Sequence, residues 1–380
     1  MTSPDNRIRL LVGATEYGGW KSVAIQAGIE QQAREFDLTI TNKWPGALDI
    51  PRRVSPGDAC ELFIGEDKVL TGYVDATPIS YDEKQVTVGV RGRSKTGDLV
   101  DCAAINSPGQ WRAAKIDRIA ADLARPYGVS VVSQVDTGPA MTHAIEQAET
   151  VFESIERMLK LRQQLATDDA LGRLVFIEVG SAGTATTALE LGKNIKRCDA
   201  PLDFKDVFTE YIVKGQRPGS DDEYGDTVAG ETASITDDIL NRRRVLMIKQ
   251  GGEVTGTSAK DRVRYERAHR KAQALASTYT VQGWRQEDGT LWLHNMLVRV
   301  RDPAVGFDDE FVIAEIRYEL SEGAGMLCLI KVGPKDGYVP KPEKKKKGGE
   351  GGADWSDVKP ADGRKVITNK PTDAWGQVKR

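Results

Sequence analysis

Apolar and polar side chains alternate with a period of two through Pro56–Gly92, between clusters of turn residues. The spacing predicts a strand over Ala59–Ile64, a turn at Gly65-Glu66-Asp67, a strand from Val69 to about Ile79, and a third over Val86–Val90. In the third, Val86, Val88 and Val90 share one face, and Thr87 and Gly89 take the other. Leu297–Pro334 has the same plan. A short strand and a turn lead into a longer strand with Val312, Ala314, Ile316 and Tyr318 at alternate positions. A Gly turn and a final strand follow. The chain thus carries one small β-module twice, matched in strand pattern with little residue identity.

Upstream of the first module, Arg7–Gly13 and Trp20–Ala27 are short strand candidates. Glu35–Asn42 sets Phe36, Leu38 and Ile40 against Asp37, Thr39 and Thr41. Turn signals at Tyr17-Gly18-Gly19, Trp44-Pro45-Gly46 and Ser55-Pro56-Gly57 separate the strands, a spacing that suits a small barrel or sandwich. The period then changes. Arg91–Cys102 is a Gly-rich connector. Ile116, Ile119, Ala120 and Leu123 predict a helix over Ala113–Ala124, ended by Pro126. Val129–Val135 is β-rich. Thr150 and Glu153 form a capping box that opens a helix to about Ala166. Gly172–Val179 and Thr186–Leu191 read as a hairpin. Asp206–Gly215 returns to strand, Gln216–Asp238 is polar enough to be an exposed loop, and Arg242–Lys249 resumes the strand pattern. Ser258–Tyr279 is a long helix candidate with Ser258 as its cap. The whole is an α+β, β-rich pattern.

The 380 residues hold 39% hydrophobic and 29% charged side chains, the composition of a packed protein. The net charge is −3, which is no overall nucleic-acid footprint. The charge is uneven: Lys335–Arg380 has 12 basic against 7 acidic residues. That stretch is rich in Pro, Lys and Gly and has too little apolar area to fold alone. The start, MTSPDNRIR, lacks the apolar run of a signal peptide. No apolar stretch approaches the ~20 residues that span a bilayer.

Chemistry is sparse. Cys60, Cys102, Cys198 and Cys328 form no CxxC pair and read as free thiols in a cytoplasmic protein. His143, His269 and His294 are far apart, with no metal-ligand spacing. Gly92-Arg-Ser-Lys-Thr-Gly97 resembles a phosphate loop, but Asp98 stands where the lysine belongs. No G-x-S-x-G elbow occurs. Asp168-Asp169 and Asp221-Asp222 fall in stretches that read as polar loops. Arg262, Arg264, Arg267, Arg270 and Lys271 make the long helix basic on part of its surface. That is either a solvated face or a contact for DNA or an acidic partner. Lys344–Lys347 is a short basic run of the same ambiguity. No cofactor or metal site is expected.

PGD at Pro56–Asp58, VLTGYVD at Val69–Asp75, VRGRSKTGDLVDC at Val90–Cys102 and the closing FVIAEIRYELSEGAGMLCLIKVGP at Phe311–Pro334 are the residues that carry a resemblance. Together, in this order, they resemble the baseplate hub proteins (tail protein D) of contractile-tailed bacteriophages, and those of Mu-like phages in particular. These are related to the N-terminal half of type VI secretion spike proteins. The resemblance extends to about residue 334. It implies two similar small antiparallel β-barrels with α+β domains between and around them, assembling as a ring-like trimer. It implies a virion structural protein, built in the host cytoplasm, that joins a six-fold tail tube to a three-fold central spike. Two barrels in each of three chains would offer six quasi-equivalent sites. With no β-helix after residue 334, the spike would be a separate chain. Tube, spike and other baseplate proteins are the implied partners, and passage of DNA through the channel is left open by the sequence.

On this reading the chain divides into a first barrel, 1–96, and an α+β domain, 97–200. A second barrel, 201–334, carries an inserted loop 216–238 and the helix 258–279, and 335–380 is a basic tail. Trp20, Trp44 and Trp292 near barrel loops are candidate interface anchors, although such residues pack cores and turns more often. Trp355 and Trp375 are candidate docking anchors in the tail. The alternative function, a tail-associated peptidoglycan hydrolase, lacks a catalytic constellation in the sequence.

Overall fold

The computed structural model describes residues 5–43, 54–83, 85–216, 229–250 and 256–341. The first module and its upstream strands form β1 (Ile8–Val12), β2 (Thr15–Tyr17), β3 (Ser22–Gly28), β4 (Glu35–Lys43), β5 (Ala59–Ile64), β6 (Asp67–Ala76), β7 (Ile79–Tyr81) and β8 (Gln85–Ser94). β5, β6 and β8 pair antiparallel as a meander. Alternation sets the faces: Cys60, Leu62 and Ile64 are buried, and so are Leu70 and Val74. Close packing fixes Gly92. A Cβ there would lie 2.2 Å from the Tyr73 carbonyl and 2.8 Å from the Phe36 ring. The Gly-rich stretch therefore serves strand packing and not phosphate binding.

The next layer contains α1 (Gly97–Asp101), β9 (Gln110–Ala114), α2 (Ile116–Ala124), β10 (Val131–Ser133), β11 (Met141–Ala144), α3 (Val151–Lys160), β12 (Leu165–Asp168) and β13 (Leu174–Ile177). α2 buries Ile116, Ile119, Ala120 and Leu123, and α3 buries Val151, Phe152, Ile155, Met158 and Leu159. Each large apolar side chain so buried contributes about 1.5–3 kcal/mol. The capping box at α3 forms as the sequence predicts, with Glu153 N donating to Thr150 Oγ1 at 3.2 Å and Thr150 N to Glu153 Oε2 at 2.8 Å. The helix stops at Lys160, short of Ala166. Gln163 takes a left-handed backbone (φ 55°), and Leu165–Asp168 pairs with β13 instead. The hairpin expected over Gly172–Leu191 does not form. β13 lies between β12 and a parallel β10, and all four of its residues are buried. A short apolar run of that kind marks a central strand, which sequence alone does not separate from a hairpin arm.

The rest comprises β14 (Leu189–Glu190), β15 (Ile195–Asp199), β16 (Glu210–Gln216), β17 (Ala229–Thr236), β18 (Val245–Gln250), α4 (Gly256–Leu275), β19 (Ser277–Gln282), β20 (Leu297–Asp302), β21 (Phe307–Ser321) and β22 (Gly325–Gly333). Three of these, β17-β16-β18, make a small separate sheet packed on α4, with Tyr211, Val213, Ala233, Ala259 and Val263 as its core. Residues 229–236 are thus a strand where a loop was expected. Their polar character follows from one face being open, with Thr232, Ser234 and Thr236 outward. The long helix also ends early. Tyr279 is fully buried in β19, which pairs with β22 and β15. Sheet pairing there overrides helical periodicity.

Among the described residues the strand pairing shows no closed barrel for either module. Among the described residues, fourteen strands form one sheet, and its main path runs β15-β19-β22-β21-β3-β4-β8-β6-β5-β1-β2. β20 to β22 form the second meander. The join is β3, which pairs with β4 on one side and β21 on the other, so that Ile25 faces both Phe36 and Tyr318. β21 exchanges partners at a bulge. It pairs with β20 up to Val312, Ala314 O accepts from Ile29 N at 2.8 Å, and from Glu315 onward it pairs with β3. Side chains of both modules enter one core, where Leu10, Leu62 and Leu70 join Trp284, Trp292, Val298 and Ile330.

Candidate assembly surfaces

Two polar junctions hold the modules and the second layer in place. At the first, Arg34 leaves the β3–β4 turn and meets Asp168 at the end of β12. Arg34 Nε donates to Asp168 Oδ2 at 3.0 Å, its backbone N to the same oxygen at 3.2 Å, and its two terminal nitrogens to Val69 O at 2.6 Å and Asp168 O at 2.9 Å. The side chains are 10% and 1% exposed. Asp168 is therefore a buried ion-pair partner and not a polar-loop residue. Beside it, Thr167 Oγ1 donates to Gly28 O at 3.0 Å and lies 3.3 Å from His294 Nε2. Burial, helped by the Arg34 charge, pushes the His294 pKa down to about 3, so the ring is neutral.

The second junction is Arg285. Its guanidinium donates to Asn6 Oδ1 at 2.8 Å, Asp67 Oδ2 at 2.7 Å, Gly289 O at 2.9 Å, and Asp5 O and Ile64 O at 3.2 Å each. One side chain between β19 and β20 thus binds the residues before β1 and the β5–β6 turn. Sequence reading missed both arginines. Neither has a local signal in the sequence, because the carboxylate each one meets, Asp168 or Asp67, lies more than a hundred residues away.

Of the tryptophans singled out, Trp292 is a core residue, 2% exposed. Its carbonyl accepts the Tyr318 hydroxyl, and Tyr318 packs edge-on to Trp284 with centroids 6.2 Å apart. It is not an exposed anchor. Trp20 is half-buried against the same core. Trp44, Trp355 and Trp375, and the acidic pair Asp221-Asp222, lie outside the described residues.

No group of three metal-ligating side chains occurs among the described residues. Burial pushes the Cys60 thiol up to about 12 and raises that of Cys328, so neither is a nucleophile. His143 Nε2 lies 2.7 Å from Ser154 Oγ, a spacing shared with nucleophile–base pairs. Ser154 is 0% and His143 4% exposed, inside the α3 core, so no substrate reaches them. Burial, then the nearby Arg157, holds the His143 pKa down at about 4. The basic residues of α4 are largely engaged. Arg262 and Arg270 both pair with Glu266, and Arg270 also lies over the Phe208 ring. His269 bonds Gly337 O at 2.8 Å and stacks on Tyr265. The fold runs past residue 334, with Tyr338 9% exposed. No described helix is long and apolar enough to cross a membrane.

What remains open to partners is surface. Arg91–Asp37, Arg93–Asp75 and Arg93–Asp101 pairs, at 2.7, 2.8 and 2.6 Å, stand around a cleft of about 370 Å³ on the outer face of β3, β4, β8 and β21. Its charges are mutually compensated, which makes a wet face rather than a ligand pocket. Exposed apolar side chains lie elsewhere: singly at Ile105, Leu171, Leu191 and Leu293, and in pairs at Ile79 and Tyr81 on β7 and at Val245 and Met247 on β18.

Fourteen strands in one sheet, two meanders on a shared core and exposed apolar strands fit a building block of a larger assembly. The chain belongs to the baseplate hub proteins of the Mu type, and its role is structural. "Mu phage baseplate assembly protein GpP-like, N-terminal" matches residues 7–94, "Baseplate hub protein gp44-like, second domain" matches 96–178, and "Mu phage baseplate assembly protein GpP, fourth domain" matches 255–341. The chain is 32% identical to the baseplate hub protein gp44 of Escherichia phage Mu over 356 residues, covering 91% of this chain and 93% of that one. Among solved structures it is similar to the 43 kDa tail protein of prophage MuSo2 from Shewanella oneidensis. That match has a TM-score of 0.79 and 33% identity, and it covers 88% of this chain and all of the other. The fold is also that of a tail protein from Neisseria meningitidis MC58, with a TM-score of 0.71, 21% identity, and 88% and 98% covered. A type VI secretion component of Escherichia coli shares the fold more distantly, with a TM-score of 0.54, 12% identity, and 88% and 79% covered.

Proposed function

We propose that this hub acts as a homotrimer at the centre of the baseplate, adapting a six-fold tail tube to a three-fold spike. The observation that carries the proposal is the pair of three-stranded meanders, β5-β6-β8 and β20-β21-β22, within one chain. Three chains then present six similar meanders to the tube, while the ring retains three-fold symmetry for the spike. The modules share a sheet and a core, so their spacing within each chain is fixed, as a docking platform requires. The spike is a separate protein in this reading, and Lys344–Arg380, with Trp355 and Trp375, contacts it or a neighbouring baseplate protein. Assembly takes place in the host cytoplasm, and DNA passes along the trimer axis.

Sedimentation at micromolar concentration tests the assembly: a species of three 41.6 kDa chains is expected, and a clean monomer overturns the reading. Deleting Lys344–Arg380 is expected to leave the trimer intact and to impair spike attachment. Normal tail assembly without the segment would remove the tail from the proposal.

A further inference from the structure

The apolar face of β4 and β8 continues beyond the core that it serves. Phe36, Leu38 and Val90 are 3%, 0% and 2% exposed. Further along the same face come Ile40 and Val88, which are cross-strand partners, and then Val86. All three are only half-buried. β7 adds to this arm, with Ile79 opposite Val88 and Tyr81 opposite Val86. Ile79 is 46% and Tyr81 72% exposed. Strand alternation places apolar side chains where they will be covered, and this arm extends past the described cover.

A second apolar face is open in the same chain. β16 and β18 are parallel partners, with Ile212 beside Met247 and Lys214 beside Lys249. The opposite face of this sheet packs on α4, whereas Val245 is 40% and Met247 57% exposed. The two strands match in spacing and charge. Along β7 and its turn the order is Ile79, Tyr81, Glu83; along β18 it is Val245, Met247, Lys249, each at two-residue intervals. Asp82 and Glu83 are exposed at the arm tip, and Lys214 and Lys249 at the end of the open face. No ion pair joins either lysine among the described residues.

We propose that the arm of one copy seats on the open β16–β18 face of a second copy, with Tyr81 against Met247 and Glu83 toward Lys249. The proposal rests on the self-assembly proposed above and names the surfaces that make it. The contact is heterologous: each copy offers one arm and one seat, and with the three-fold rotation of the proposed trimer successive copies close a ring with neither apolar face left uncovered. Aromatic–thioether contact and the end charges set the register.

The test uses the full chain with Cys102→Ser and Cys198→Ser. Tyr81→Cys and Met247→Cys together are expected to give intermolecular disulfides, seen as linked multimers on a non-reducing gel, while each change alone gives none. Linking by Tyr81→Cys alone would mean an arm-to-arm contact and overturn the proposal, as would an intramolecular bond. An oligomer by sedimentation with no link in the double variant would overturn the seat while leaving self-assembly standing. A monomer would overturn both. Independently, Ile79→Asp with Tyr81→Asp is expected to weaken self-association at least about 100-fold with unchanged thermal stability, because both side chains are exposed in the single chain. Unchanged association would count against the arm.

Discussion

Asp168→Asn replaces the buried carboxylate opposite Arg34 by a neutral group of the same shape. An amide oxygen in the place of Oδ2 can still accept from Arg34 Nε and the Arg34 backbone N, so what is lost is charge. At 3.0 Å and an effective dielectric of ~20, the attraction between the pair is about 5 kcal/mol before desolvation. Removing one partner leaves a guanidinium that is 10% exposed without its counter-charge, which costs about 3–5 kcal/mol in comparable sites. Against a typical stability of about 5–15 kcal/mol, the variant is expected to fold at 25 °C with a clearly lower urea midpoint and an unchanged m-value. Because the pair ties β12 to the β3–β4 turn, amides of β12 and β13 are expected to lose exchange protection before those of β21. Adding Arg34→Met to Asp168→Asn removes the stranded charge but strips the Val69 and Asp168 carbonyls of a donor. The double variant is therefore expected to regain about 1 kcal/mol over Asp168→Asn, less than full recovery. A midpoint for Asp168→Asn that corresponds to less than about 0.5 kcal/mol of destabilisation would refute the view that this pair carries the junction.

Acid is expected to destabilise the fold well above the carboxylate range. His294 and His143 titrate near 3 and 4 when folded, against an ordinary value of 6.5, so the unfolded chain binds the extra protons and stability falls as pH drops below 6.5. At pH 5 the two together cost about 4 kcal/mol relative to pH 7.5, and urea midpoints at the two pH values measure it; His294→Gln should remove about half of the difference. Arg285→Ala is expected to cost about 2–4 kcal/mol by leaving the Asp5 and Ile64 carbonyls without their donor, checked by the melting temperature. Gly92→Ala places a methyl against the Tyr73 carbonyl and the Phe36 ring, and calorimetry should show about 1–3 kcal/mol of overpacking loss. A fully stable Gly92→Ala would mean that the β6–β8 spacing is adjustable.

What could be read from the sequence was local. Alternation in Ala59–Ile64 and Leu297–Pro334 marks strands because one face of each is buried and the other is not. The Thr150–Glu153 box marks a helix start because its two hydrogen bonds span three residues. What could not be read depends on distant partners. Leu174–Ile177 has the same apolar run whether it is a hairpin arm or a central strand; only Val131 and Leu165, its neighbours in space, decide. Tyr279 continues the stripe of α4 in sequence, yet β22 claims it. The polar residues 229–236 resemble a loop because a sheet with one open face needs only half of its residues apolar. Trp292 drew attention as an anchor for its size, the property that also makes it a core residue. The arm was visible in part, since Val86, Val88 and Val90 alternate on one face, but only the fold shows where the core ends along it.

The exchange of partners at Ala314 has a mechanical consequence. A single strand, β21, is laced to β20 over its first part and to β3 over its second, so it splints the two meanders across their join. To swing one meander relative to the other, the β21–β3 ladder and the common core would have to give way together, since no hinge lies between them. In the proposed ring, six-fold and three-fold neighbours cannot both be met by flexing inside the chain. Compliance must then reside in peripheral parts such as the β7 arm and the small β16–β18 layer. On the proposed function, the central sheet would pass load from tube to spike as one stiff plate.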